Sequence, residues 1–357
     1  MFSGTKMPPK SSRKSAAKQK SPKIDPNSSF TPEAFERELK SLASKAKDET
    51  WGKFLKEQAS AYLNAAALLT FAAVYSNVSQ LTLSPVYGSI PSSICHEHLV
   101  VVACFVGWAS NLHLGRIFPV KLIYMLPVIA INIPLAQFYL WKISGSLTAR
   151  WGPLITEALT LFPLLVLTTS CTANHLDNAD LSKLPKWIGD AVPGLASWAF
   201  FKLVERIAGR LLAQQVGKSF FQTRLGLEIV LGATSALLAP SRLLIHAVPG
   251  ILYTAVLNTH VFTPIATANL NRTLNAEGWS LIDRKESITG YISVVDSHAQ
   301  GFRVLRCDHS LLGGEWTRYQ GPRVAEPIYS VFTMLEAVRL VEGDDRAPDH
   351  EANALVV

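Results

Sequence analysis

The chain has 357 residues, of which 48% are hydrophobic and 17% charged, a more apolar balance than that of an ordinary soluble domain. Its net charge of +7 is matched by seven basic side chains within residues 1–24 (Lys6, Lys10, Arg13, Lys14, Lys18, Lys20 and Lys23), where no acid occurs. The basicity therefore belongs to a tail, and nucleic acid is not an expected partner. Cys95, Cys104, Cys171 and Cys307 show no C-x-x-C or Cys/His ligand spacing, so neither a zinc site nor a disulfide framework is indicated. No cleavable signal peptide is visible, because the first apolar run begins only after residue 58.

Residues 1–30 are rich in Lys, Ser and Pro and lack an apolar face, which predicts a disordered tail. A solvated cytosolic tail and a polybasic contact with anionic lipid head groups both fit it. Over 31–57, Thr31-Pro32-Glu33 gives a helix start, with a hydroxyl cap, Pro at the first position and an acid in the first turn. Phe35, Leu39, Leu42 and Ala46 then share one face of an amphipathic helix.

From Gln58 through His96 there is no Asp, Glu, Lys or Arg, and the core of that run, 59–78, is long enough to cross a ~30 Å hydrocarbon layer. Further runs at 98–115, 122–141, 151–172, 223–241 and 243–263 bring the expected spans of a 58–264 membrane domain to six. Trp51, Trp141 and Trp151 sit near run ends as interfacial anchors do. Over 193–217, Lys202, Arg206 and Arg210 form one basic stripe, which reads as a helix lying in the interface, with a seventh span as the alternative. The distribution of Lys and Arg among the loops then predicts an integral membrane protein with a cytosolic N-terminus, its partner the lipid bilayer. Glu157 and Glu228 are the acids within or near the spans. Each is either a functional carboxylate or a helix-start acid reaching water, and both readings stand. His113, His246 and His260 are scattered and suggest no metal or proton relay.

After Arg272 the texture changes to mixed charge and alternation. Thr289–Val295 and Phe302–Cys307 read as two strands joined by a breaker-rich turn, within a β-hairpin domain at 273–324. Gly313-Gly314 permits a further turn, and Pro327 opens a helix with Ile328, Val331, Phe332, Leu335 and Val338 on one face. Asn353–Val357 reads as the opening of a buried strand.

Glu286-Ser287-Ile288-Thr289-Gly290, Arg303–Asp308 and Glu326-Pro327-Ile328-Tyr329 resemble, in this order, the strand start, second strand and first-helix opening of the spermidine/spermine synthases, the polyamine aminopropyltransferases. The resemblance covers 286–357, a fifth of the chain. It implies an all-α polytopic membrane bundle, then a small antiparallel β-domain and, over 325–357, the truncated start of a Rossmann-like α/β domain. Tyr329, Asp308 and Glu326 would be the substrate-binding residues. His309 and Ser330 depart from the family pattern, where Gly and Gln are usual. The complete protein would move an aminopropyl group from decarboxylated S-adenosylmethionine to an amine, or perform a related S-adenosylmethionine reaction. This chain, ending before the Gly-rich loop, would carry no cofactor and no transferase activity, and a homodimer is compatible with the resemblance. A non-catalytic membrane scaffold and a small-solute transporter are the alternatives.

Overall fold

The computed structural model describes residues 32–177 and 186–318. The chain divides into two compact units, Met1–Lys56 and Glu57–Val357, and the sheet and every cavity discussed below belong to the second. Ten helices precede a four-stranded sheet among the described residues. They are α1 (Pro32–Tyr87), α2 (Ser89–Ala109), α3 (Asn111–Ile117), α4 (Leu126–Lys142), α5 (Ser144–Leu159), α6 (Leu161–Leu176), α7 (Lys186–Gln215), α8 (Arg224–Leu238), α9 (Val248–Val256) and α10 (Pro264–Ala276).

The helix ends follow local chemistry. Gly88 ends α1 because it adopts φ 92, a left-handed value that costs a residue without a Cβ little. The Thr223 hydroxyl accepts the Gly226 N–H at the start of α8, and that of Thr263 accepts the Ala266 N–H at the start of α10, where Pro264 lacks a donor to waste. The apolar faces meet in a core drawn from α1, α2, α4, α6 and α7, with Tyr75, Val100, Ala130, Leu164 and Phe201 nearly or wholly buried. The α2–α6 crossing is close because Gly107 has no side chain. A Cβ there would run into the Thr169 hydroxyl and the Val166 carbonyl. Gly107→Ala is therefore expected to cost about 1–3 kcal/mol by overpacking. Chemical denaturation of the two proteins side by side checks it, and an unchanged midpoint would show that the helices have room to part.

The sheet is an antiparallel meander of β1 (Trp279–Ser287), β2 (Gly290–Ser297), β3 (Phe302–Cys307) and β4 (Ser310–Trp316), in that spatial order. Strands β2 and β3 cover the two segments whose alternation marks them as strands. Strand β4 instead contains Gly313-Gly314, which pair with Leu305 and Val304 and make no turn. Bulges at Ile282 on β1, between Leu281 and Asp283, and at Leu312 on β4, between Leu311 and Gly313, twist the two edge strands. Across one face Trp279 meets Phe302 and Phe302 meets Trp316 edge to face, with ring centroids 5.7 and 6.2 Å apart.

The expected polytopic membrane bundle leading into a Rossmann-like domain is corrected to a mostly helical architecture with a small antiparallel sheet. Among the described residues four helical stretches, not six, are long and apolar enough to cross a membrane, and length and composition alone mark them. In the stretch Ser144–Leu176, 67% of the apolar window is buried inside the protein, so its apolarity serves protein packing. The runs at 223–241 and 243–263 break into a 15-residue and a 9-residue helix around Pro240, too short for a ~30 Å layer. The segment 325–357, where an α/β domain was expected to open, lies outside the described residues.

Candidate functional site

A crevice of about 360 Å³ opens where the ends of α1 and α4 and the start of α8 face the sheet. Trp141, Lys142, Arg224, Glu286, Asp308 and His309 are among its lining residues, and they carry charges of both signs. A larger hollow of about 550 Å³ lies against the aromatic face of the sheet. Its walls are mainly apolar, so it offers packing surface without converging polar groups. The smaller crevice is the chemically equipped one.

Arg224 organises the crevice. As the first residue of α8 it gives its backbone N–H to Glu286 Oε2 (2.7 Å), its Nε–H to the Leu81 carbonyl (2.8 Å) and its Nη2–H to the Ser287 carbonyl (3.1 Å). One side chain thus ties α1, α8 and β1 together. Nη1 stands 3.4 Å from Glu286 Oε2 as an ion pair and makes no hydrogen bond among the described residues. Glu286 sits at the α8 N-terminus, where the helix dipole favours an anion. Burial nevertheless lifts its carboxyl above the ordinary value, against the opposing pull of Arg224 and Arg284.

Behind this pair Arg284 binds the loop that precedes α10. It donates to the carbonyls of Thr259 and Val261, to both sides of the Thr267 hydroxyl and to Tyr291 Oη, and its guanidinium lies 4.6 Å from the Phe262 ring centre. The loop places His260 edge-on to Trp141, 5.1 Å between ring centres. Burial first, then Arg284 and Lys142, push the His260 imidazole down to about 4, so it is neutral at physiological pH. Trp141 itself is 8% exposed, and its indole N–H has no acceptor among the described residues.

Asp308 follows β3 with φ 51, a region in which Asp is one of the tolerated residues. Its Oδ1 accepts the Tyr291 N–H at 2.7 Å. Oδ2 makes no hydrogen bond among the described residues. The carboxyl fits because Gly290 opposite has no Cβ, which would collide with it. His309 donates through Nε2 to the Val86 carbonyl at 2.9 Å, joining the β3–β4 turn to the end of α1. Of the three expected substrate-binding residues, the structure puts Asp308 in the crevice, whereas Tyr329 and Glu326 lie outside the described residues. Arg224 and Trp141 were missed because nothing local in sequence announces a buried pairing 62 positions away, or an indole N–H left without a partner.

A second polar cluster is sealed inside the helices. His96 links Glu157 Oε1 (2.5 Å) to the Ser76 hydroxyl (2.9 Å), which donates to Glu205, itself paired with Lys202. Glu228 receives hydrogen bonds from Gln137 (2.9 Å) and Thr82 (3.4 Å). Both acids are fully buried, and Glu157 lies in the second half of α5, so neither is a helix-start acid reaching water. Ser76, His96 and Glu157 have the connectivity of nucleophile, base and orienting acid. The serine, however, is fully buried and commits its proton to Glu205, so the set cross-links α1, α2, α5 and α7. No group of three His, Cys, Asp or Glu side chains suited to a metal ion occurs among the described residues.

Comparison with known proteins redirects the functional reading. Over 299 residues, 82% of this chain, the sequence is 40% identical to an N-terminal histidine N-methyltransferase of Emericella nidulans. The chain spans about half of that relative's length (54%). No family model and no solved structure matches. Identity on this scale outweighs a resemblance confined to a fifth of the chain and carried by a hairpin and one helix start. It overturns the aminopropyltransferase assignment and, with it, aminopropyl transfer, the decarboxylated co-substrate and a place in polyamine biosynthesis. It lends no support to a scaffold or a transporter.

Proposed function

We propose that this chain carries the helical and β-sheet portion of an enzyme that methylates a ring nitrogen of an N-terminal histidine, with S-adenosylmethionine as the methyl donor. The observation that carries the reading is the 40% identity to the N-terminal histidine N-methyltransferase over 82% of the chain. The crevice suits it in kind, being a mixed-charge recess able to meet both the cationic and the carbonyl-bearing end of a polypeptide. Chemically, the unprotonated ring nitrogen supplies the electron pair, the N–CH3 bond forms as the sulfonium S–CH3 bond breaks, and the imidazolium product returns a proton to solvent. An imidazole of ordinary pKa, near ~6.5, is mostly in the reactive neutral form at neutral pH.

The test is expression from the complete open reading frame, followed by incubation with S-adenosylmethionine and peptides that begin with His or carry His only internally. Mass spectrometry should locate one added methyl group on the ring of the first residue. Methylation of internal histidines to the same extent, or no transfer to either peptide, overturns the reading.

A further inference from the structure

A cavity of about 500 Å³ lies between α1, α2, α6 and α7 and shares no lining residue with the helix–sheet crevice. Its lining runs from solvent to the core. Phe105 and Leu195 are 73% and 68% exposed and form the mouth, whereas Leu69 and Phe201 are 5% and 1% exposed and form the floor. A ligand can therefore enter from solvent. The walls between are apolar and aromatic. Trp198 stacks on Phe201 with ring planes 13° apart, and Trp108 lies over Gly194, where a Cβ would stand 3.4 Å from the indole.

One end of this apolar cavity is cationic. Lys202, one turn beyond Trp198 on α7, holds its Nζ 5.6 Å from the Trp198 ring centre, and its side chain is 34% exposed. Glu205 accepts from that ammonium, which has three donors to offer. Both charges act on the cavity wall: burial, then Glu205, push the Cys104 thiol up to about 12, while Lys202 pulls it down. A turn further on the same stripe, Arg206 is exposed and makes no ion pair among the described residues. Two cations thus face one acid at this end. A hydrocarbon chain with an anionic head matches such a site. A partner helix does not, because a helix 10 Å across fills about 400 Å³ per turn and the cavity would admit a single turn.

We propose that the cavity between α2 and α7 binds a single-chain anionic amphiphile, such as a long-chain fatty acid, with its chain against Trp108, Trp198 and Phe201 and its anion on Lys202 and Arg206. The inference stands apart from the methylation reading, and neither needs the other.

The experiment adds to the full-length protein a long-chain fatty acid brominated near its methyl end, because bromine in contact with an indole quenches its fluorescence. The methyl ester and an alkylammonium of the same chain are the comparators, and vesicles of an anionic phospholipid with the same brominated chains form a further arm. The acid should quench saturably and bind at least about threefold tighter than its ester, the worth of an ion pair at a partly exposed site. Each methylene removed from the chain should weaken binding about fourfold. Lys202→Gln/Arg206→Gln should bring acid and ester to the same affinity. Trp108→Phe/Trp198→Phe should remove most of the quenching, and Ala191→Phe, which adds a ring at an exposed lining position, should weaken acid and ester alike. The charge variants lie on the solvent side of α7 and keep the test open if a variant within the cavity does not fold. Absence of quenching, equal affinity for acid and ester, a preference for the alkylammonium, or quenching that survives the loss of both tryptophans overturns the proposal. Quenching by the vesicles alone also overturns it, since this face would then lie against a lipid surface and hold no separate molecule.

Discussion

Arg284→Leu should lower the unfolding temperature by roughly 10 °C, one of the two largest effects expected of any single replacement around the crevice. The side chain makes five hydrogen bonds to four partners on three segments, and it is only 8% exposed. Leucine would fill part of the volume but leave the Thr259 and Val261 carbonyls and the Thr267 and Tyr291 hydroxyls without that donor. Each such group costs about 1–3 kcal/mol when it stays buried. Partial relaxation of the loop keeps the total near about 3–5 kcal/mol, and at ~2–4 °C per kcal/mol for a unit of this size the shift follows. Arg284→Lys should recover less than half of the loss, because one ammonium cannot reach partners set out for a planar fork. A second readout is independent of stability. The His260 imidazole, held at about 4 partly by Arg284, should move toward its ordinary 6.5 in Arg284→Leu, which removes the cation, followed by NMR titration of the ring protons. A His260 that titrates where it did before would show that burial alone sets its state.

Much of the helical part is legible in the sequence, because apolar periodicity and start signals such as Thr263-Pro264 are local. The same information misleads where tertiary context decides. The apolar run at 223–241 looks like a span until Pro240 stops it and Arg224 turns out to be buried against Glu286. Strand β1 was not foreseen, since Trp279–Ser287 carries Asp283, Arg284, Lys285 and Glu286 in a row and loses the alternation a half-buried strand should show. Two of those charges are buried, paired with residues far off in sequence. Gly313-Gly314 reads as a turn, yet the pair lies flat in β4 beneath the aromatic face. Asp308 was visible as a strand-ending acid. That Arg224 and Trp141 line the same crevice was not, because they meet only in the folded chain.

The Arg224–Glu286 pair gives the second large effect and a pH signature that identifies its origin. Arg224→Met leaves Glu286 buried without its ion-pair partner, and removing one member of a buried pair costs about 3–5 kcal/mol. The direction with pH follows from the carboxyl. Its folded value is raised above the ordinary 4.5 by burial, so the stability it contributes is complete below the unfolded value and is lost as pH rises through the folded one. Arg224 opposes that rise. Without it the folded value climbs further, and the loss extends to higher pH. Arg224→Met should therefore be most destabilised near about pH 8 and should regain part of its deficit near about pH 4, where Glu286 is protonated. The double variant Arg224→Met/Glu286→Gln carries no buried charge at this position and should unfold between the wild type and the single variant, without the added pH slope. Denaturant titrations of the three proteins at the two pH values decide the matter. A single variant whose deficit is the same at both would mean that the cost comes from the lost hydrogen bonds to the Leu81 and Ser287 carbonyls, with the Glu286 charge reaching water in the folded protein.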